Sequence, residues 1–178
     1  MRSAATIRRR SLPAEFKPEQ VVALVDPREQ TPWNLAPLKM EQTVLQTADY
    51  TFRGGEHSIR IERKELSDLV SCCGPERDRF EREIERLLAF PARLLVIEAS
   101  WDDIRRGAWR SKMKPAAVEA SLLSWQAMGI AVHLAGDRQE AERFAARVLF
   151  YAARREWRRL RAMAAAAGDD DGIIDPFP

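Results

Sequence analysis

Three residues near the middle of the chain have types and spacing that suit metal-dependent chemistry. Glu62 and Lys64 stand two positions apart in an alternating stretch that begins at Ile59. On a β-strand their side chains share one face, while the isoleucines turn to the other. Asp49 lies on the segment before a Gly-Gly turn, so a hairpin would bring it close to Glu62.

A further carboxylate, Asp26, ends a separate apolar run and is expected to reach the same place. Carboxylates gathered at strand ends repel one another and resist burial. A hard cation removes that cost, and Mg²⁺ suits a site of few carboxylates because it keeps waters for chemistry. The pattern therefore predicts a Mg²⁺ site, in which Mn²⁺ can substitute, held by Asp26, Asp49 and Glu62.

Such a site is suited to phosphodiester hydrolysis. The cation lowers the pKa of a bound water and neutralises charge on the phosphate. Lys64 would position or deprotonate that water, or stabilise the developing negative charge. Arg28 and Arg63 are candidates to hold the flanking phosphates. An acidic residue followed by Glu-x-Lys also occurs by chance in many strands and helices, so the pattern alone leaves this open.

The elements that position these residues alternate between strands and helices. Apolar runs predict strands at residues 21–25, 43–52, 57–64, 93–98 and 130–134. Helical spacing predicts helices at residues 65–73 and 76–90, a helix opened by Pro115, and a long helix from Asp137 to about Met163. This order predicts an α/β sandwich with a mixed sheet.

The 178 residues suit one domain. We expect a basic disordered arm at residues 1–19, a nuclease domain at 20–163 and an acidic flexible tail at 164–178. No apolar run is long enough for a membrane span and the N-terminus lacks a secretory stretch. The expected location is the cytoplasm, in association with the nucleoid, or wherever the DNA is, and the protein is not expected to be secreted.

Arginine is concentrated in two places although the net charge is only +2. One cluster is Arg8 to Arg10, and the other contains Arg154, Arg155, Arg158 and Arg159. Phosphate-binding surfaces have such clusters, which makes the second one a candidate DNA-binding surface. A solvated helix face explains it equally well.

Two motifs together resemble the signature of the XPF-type structure-specific endonucleases. Val25-Asp26-Pro27-Arg28-Glu29 resembles that family's first-strand motif. Ala48-Asp49, a gap, and then Glu62-Arg63-Lys64 followed by Asp68 resemble its nuclease motif, with Ala48 where the family has glycine. The similarity covers roughly residues 21–155.

The resemblance implies a restriction-endonuclease-like mixed sheet flanked by helices. It implies a Mg²⁺-dependent endodeoxyribonuclease that cuts branched or flapped DNA in repair or recombination. By position, Asp49 and Glu62 would be metal ligands, Lys64 the catalytic lysine, and Asp26 a further acidic residue near the metal. The supporting site residues would be Arg28, Glu29, Arg63 and Asp68.

Other functions stay open at this point. The 178 residues contain no helicase domain and no tandem helix-hairpin-helix module, which leaves the substrate and the partner undecided. A homodimer or a separate targeting protein would fill that gap. The main alternative is a catalytically silent DNA-binding or scaffolding partner, against which the intact Asp49, Glu62 and Lys64 argue. A restriction-like or junction-resolving nuclease on the same core is a third possibility.

Overall fold

A computed structural model describes residues 15–166, which form a mixed six-stranded sheet with helices on both faces. The strands are β1 (Val22–Val25), β2 (Lys39–Gln42), β3 (Tyr50–Phe52), β4 (Ile59–Lys64), β5 (Ala92–Ile97) and β6 (Ala131–Leu134). Their order across the sheet is β2-β1-β3-β4-β5-β6. β3 runs antiparallel to both of its neighbours, and the other pairs are parallel. The predicted α/β class with a mixed sheet is confirmed.

The central hairpin fixes the positions of the acidic residues. Tyr50 on β3 pairs with Ile61 on β4, and the Asp49 amide donates to the Ile61 carbonyl at 3.1 Å. On the other side of β3, the Asp26 amide donates to the Asp49 carbonyl at 2.9 Å. Asp26 follows β1, Asp49 precedes β3 and Glu62 lies on β4. The three residues therefore belong to three neighbouring strands and lie towards the same end of them.

The helices are α1 (Leu66–Cys72), α2 (Arg77–Leu87), α3 (Trp101–Arg106), α4 (Pro115–Ala127) and α5 (Arg138–Ala166). Ser100 and Asp103 form a capping box that begins α3, and Gly107 ends it in a left-handed conformation. Pro115 occupies the first turn of α4, where its missing amide hydrogen costs nothing. None of the helices in the described part of the chain is long and apolar enough to cross a membrane.

Two apolar cores cover the two faces of the sheet. One includes Ile59 and Ile61 of β4, packed with Tyr50 against the small and apolar side of α5. The other lies under α1 to α4 and includes Phe80 and Trp125. Because side chains alternate along β4, Glu62 and Lys64 face the second core, which α1 and α2 close.

The sequence prediction differs from the structure at several boundaries. β2 lies at 39–42, where mostly loop was expected, because its exposed residues carry no apolar pattern. β3 is only three residues long, since an irregular segment precedes it. α5 continues to Ala166, three residues beyond the predicted end. Phe16, in the predicted disordered arm, stacks on Phe150 of α5 with ring centroids 6.2 Å apart. The rest of the arm, up to residue 14, and the tail from 167 lie outside the described residues.

Candidate active site

Glu62, which is buried, and Lys64, which is partly buried, form an ion pair on one face of β4. Glu62 is only 5% exposed, and its Oε1 accepts from the Lys64 ammonium. Burial raises the pKa of Glu62, and the lysine offsets only part of that cost. Burial alone would lower the pKa of Lys64, but Glu62 outweighs it and the pKa is raised. Lys64 is therefore a charged ammonium next to an acid that resists ionisation.

Asp49, from the neighbouring strand, adds a third ionisable group to the Glu62–Lys64 pair. Its Oδ2 accepts from the Arg63 amide at 2.8 Å, which aims the carboxylate along the end of β4. Burial and then repulsion by Glu62 raise the pKa of Asp49 to about 8. Two carboxylates that both resist ionisation, close enough to repel each other, release free energy when a cation is added.

Asp26 lies in the adjacent strand but in a different electrostatic environment. Arg28 holds both of its oxygens, with Nε to Oδ1 at 2.7 Å and Nη2 to Oδ2 at 3.0 Å. The Leu45 amide donates to Oδ2 at 2.7 Å. The Arg28 hydrogen bonds, against the opposing effect of burial, hold the pKa of Asp26 at about 2. Its negative charge is already satisfied by protein groups.

The three predicted metal ligands are thus not equivalent. Within residues 15–166, no three Asp, Glu, His or Cys side chains lie together as a group that can hold a metal ion. The structure brings Asp49 and Glu62 together and leaves Asp26 tied to Arg28. Asp26 as a metal ligand stays a prediction, and the hydrogen bonds to its two oxygens argue against it.

Arg63, predicted to hold phosphate, points to the opposite face of β4. Its guanidinium binds three carboxylates: Glu98 at 2.7 Å, Glu65 at 2.6 Å and Glu29 at 3.1 Å. The side chain is 6% exposed, and Trp33 donates to the same Glu98 oxygen at 2.6 Å. In this arrangement Arg63 links the end of β4 to the loop that contains Glu29 and to Glu98 after β5. Its guanidinium has little surface left for a phosphate.

The remaining predicted residues near this edge are exposed. Arg28 is 69% exposed while it holds Asp26, so it can contact a ligand without leaving its partner. Asp68 lies in the first turn of α1 and is exposed. It has no hydrogen-bond or ion-pair partner among residues 15–166. Its role stays a prediction.

The predicted DNA-binding arginines lie at the far end of α5. The helix begins beside the Arg63 network, where Arg138 donates to the Thr31 carbonyl at 3.0 Å and Thr31 accepts from Arg63. From there to the 154–158 segment, 16 to 20 residues at 1.5 Å each cover about 24–30 Å. The arginine cluster therefore lies at the end of α5 that is remote from the Arg63 network.

The four arginines fall into two pairs at that end. Arg154 and Arg158 line an open cleft of about 660 Å³ together with Lys17 and Trp157. Arg155 and Arg159 do not line the cleft, and Arg159 pairs with a glutamate on its own helix at 3.1 Å. Only the first pair faces a concave surface that an anion can enter.

Two acidic residues at the site were not singled out from the sequence. One is Glu98, just after β5. The parallel register places Lys64 beside Ile97, so Glu98 lies next to the end of β4. Glu83 on α2 is the other: it accepts from the Ala48 amide and adds to the repulsion on Glu62. The strand-end position of Glu98 could have indicated it, whereas nothing in the helical pattern distinguishes Glu83 from its acidic neighbours.

The comparisons with known proteins agree with this fold. The sequence matches the ERCC4 domain family over residues 25–148, which includes Asp26, Asp49, Glu62 and Lys64. Among solved structures, XPF from Aeropyrum pernix is similar, with a TM-score of 0.57 and 21% sequence identity over 81% of this chain and 69% of that one. A search of curated protein sequences finds no match. The chain therefore belongs to the ERCC4 domain family and has the fold of the XPF-type structure-specific DNA nucleases.

Proposed function

We propose that this protein is a metal-dependent DNA endonuclease with Asp49, Glu62 and Lys64 as its central residues. One observation carries the proposal: the buried Glu62 and the partly buried Asp49, both with raised pKa values, lie beside the partly buried Lys64 ammonium. Acids that resist ionisation in this way are common where a site binds a ligand. Membership of the ERCC4 domain family, a group of DNA nucleases, supports DNA as the substrate.

The donor set fits Mg²⁺, with Mn²⁺ as a substitute. Asp49 Oδ1 and Glu62 Oε2 have no hydrogen-bond partner within residues 15–166, so each carboxylate has an oxygen to offer. One or two carboxylates plus water and phosphate oxygens are the usual ligands of Mg²⁺ in such sites. A bound Mg²⁺ supplies a water of lowered pKa and neutralises charge on the phosphate.

The protein groups divide the remaining work among them. The Arg63 amide fixes the direction of the Asp49 carboxylate. Lys64, a charged donor on a flexible stem, turns from Glu62 towards a phosphate oxygen and stabilises the negative charge that develops there. Arg28, on the exposed side of Asp26, contacts a flanking phosphate.

We propose a second DNA contact at the cleft formed by Arg154, Arg158 and Lys17. Its charge suits phosphates. Two separate phosphate contacts suit a substrate with more than one arm. We therefore propose branched or flapped DNA, as formed in repair and recombination, as the substrate.

A substrate panel tests the proposal. Purified protein is mixed with end-labelled duplex, flap, fork and four-way-junction DNA, with Mg²⁺ or with EDTA. We expect cleavage of at least one branched substrate in Mg²⁺ only. Tight DNA binding without cleavage of any substrate, in Mg²⁺ or Mn²⁺, would instead favour the catalytically silent scaffold.

Assembly and location follow from the same proposal. We propose that a second copy of the chain or a separate targeting protein helps to select the substrate. We propose that the protein acts where DNA is, in the cytoplasm in association with the nucleoid or elsewhere. Light scattering at high micromolar concentration distinguishes a dimer from a monomer that needs another protein.

A further inference from the structure

The turn that presents Asp49 has an unusual backbone conformation. Ala48, the residue before it, has φ of 61°, and among residues 15–166 it is the sole non-glycine residue with positive φ. The Cβ of an L-residue crowds the backbone in this left-handed region, which is why glycine is preferred there. Something in the fold must hold Ala48 in place.

The side chain of Glu83 makes the contacts that can do this. Its Oε1 accepts from the Ala48 amide at 3.2 Å and from the Thr47 hydroxyl. Its Oε2 pairs with Arg86, one turn further along α2. One carboxylate on a rigid helix therefore holds two successive residues of the turn, and the arginine fixes its orientation.

The consequence of this contact reaches the active site through the backbone. Directly after Ala48, the Asp49 amide donates to Ile61 and the Asp49 carbonyl accepts from Asp26. If Ala48 relaxed to negative φ, the chain would enter β3 in a different direction. Asp49 Oδ2 would then lose its bond to the Arg63 amide, which lies at 2.8 Å in the structure.

We infer that Glu83 is a positioning residue that holds Ala48 in the left-handed conformation and so aims the Asp49 carboxylate at Glu62. This inference rests on the proposed function only for its effect on cleavage. Its structural half, the order of the turn, stands without it. Glu83 acts as a hydrogen-bond acceptor, so a neutral acceptor of the same shape can replace it.

Four variants test the inference: Glu83→Ala, Glu83→Gln, Ala48→Gly and the double change Ala48→Gly with Glu83→Ala. Glu85→Ala is the matched control, because Glu85 is an exposed acid on the same helix whose side chain makes no hydrogen bond or ion pair within the described residues. Two readouts are used: hydrogen exchange of the Asp49 amide in metal-free protein, and kcat and KM for cleavage in Mg²⁺.

Glu83→Ala should raise Asp49 amide exchange by about tenfold or more, because the turn opens locally. It should lower kcat by about tenfold to a hundredfold with little change in KM, since a misplaced ligand weakens the reacting geometry. Glu83→Gln should stay within a few fold of the wild type. The double variant should recover both readouts, because glycine adopts positive φ without help.

Two results would overturn the inference. One is a double variant no better than Glu83→Ala in Asp49 exchange, which would mean that Ala48 strain is not what Glu83 opposes. The other is a Glu83→Gln variant as impaired as Glu83→Ala, which would make the charge of Glu83 the active feature. If the wild-type protein cuts no DNA, the proposed function fails while the exchange measurements still decide the inference.

Discussion

The two faces of β4 carry charged residues in opposite states. On one face Arg63 is surrounded by Glu29, Glu65 and Glu98, and its pKa is raised because these bonds outweigh the effect of burial. On the other face Glu62 has one ion-pair partner within residues 15–166, Lys64. The nearby Asp49 has no charged group of the same range in direct contact with its carboxylate. On the first face each of these groups has an oppositely charged partner, and on the second Asp49 has none in the described part of the chain.

This difference separates structural charge from charge that awaits a ligand. A buried ion network whose members satisfy one another contributes to the order of the fold and gains little from an added ion. The buried Glu62 and the partly buried Asp49, both with raised pKa values, gain from a cation, because it removes both their repulsion and part of the cost of burial. Side-chain alternation on a single strand places both states next to each other.

Removing Lys64 should have the largest effect on activity. Lys64→Met keeps most of the side-chain volume and removes the ammonium, so cleavage in Mg²⁺ should fall by about 10²–10⁴-fold. DNA binding should change little. Lys112→Met is the control, because Lys112 is an exposed lysine of the loop between α3 and α4. Normal cleavage by Lys64→Met would remove the lysine from the active site.

Removing Arg63 should have the largest effect on stability. Arg63→Met leaves three carboxylates without their shared partner, so the free energy of unfolding should fall by about 3–5 kcal/mol. Urea denaturation measures it, with Arg82→Met as the control on an exposed helix position. A stable Arg63→Met variant with weakened DNA binding would show instead that Arg63 holds phosphate, as its place in the motif suggests.

The stability of the metal-free protein should depend on pH in a direction set by Asp49. Its folded-state pKa of about 8 is above the unfolded value of 3.8, so its contribution is fully present at low pH. That stability is lost as pH rises through about 8. Asp26 has the opposite shift, and its stabilisation is lost only as pH falls through about 2.

Thermal melting in EDTA between pH 4.5 and 8.5 checks this. Melting temperature should fall with rising pH, and Asp49→Asn should flatten the profile. Mg²⁺ should bind more tightly as pH rises, because it competes with the proton on Asp49. A wild-type profile in EDTA with the same slope as that of Asp49→Asn would show that Asp49 is ionised at neutral pH without metal.

The arginine pairs on α5 should give the smallest effect. Neutralising Arg154 and Arg158, which line the cleft, should reduce the slope of log K against log salt by about 1.8, or 0.9 for each lost phosphate contact. Neutralising Arg155 and Arg159 is the matched control and should change it less. Equal slopes for the two double variants would mean that the cleft is no more than a solvated surface.

The fold and the central residues were predictable from the sequence because they rest on alternation and on motifs. The Glu-x-Lys spacing places Glu62 and Lys64 on one face of β4, and the Gly-Gly turn predicts the hairpin that brings Asp49 to them. The family motifs added the order of the elements.

The partners of these residues were not predictable in the same way. That Arg28 would hold Asp26 depends on how the loop after β1 folds back, and no periodicity describes a loop. The Glu83 contact to Ala48 joins residues 35 positions apart, on a helix and a turn. The position of the α5 arginines is set by the length and direction of that helix and not by the number of arginines.

The central claim is that Glu62 serves a cation, and one variant tests it directly. Glu62→Gln keeps the shape and removes one charge from the pair with Asp49. In Mg²⁺, cleavage by the folded variant should fall by orders of magnitude, because the activated water and the phosphate lose an anchor. DNA binding should persist, and the metal-free melting temperature should fall, because the Lys64 ammonium loses its carboxylate partner. A folded Glu62→Gln protein that cuts DNA at the wild-type rate would contradict the account.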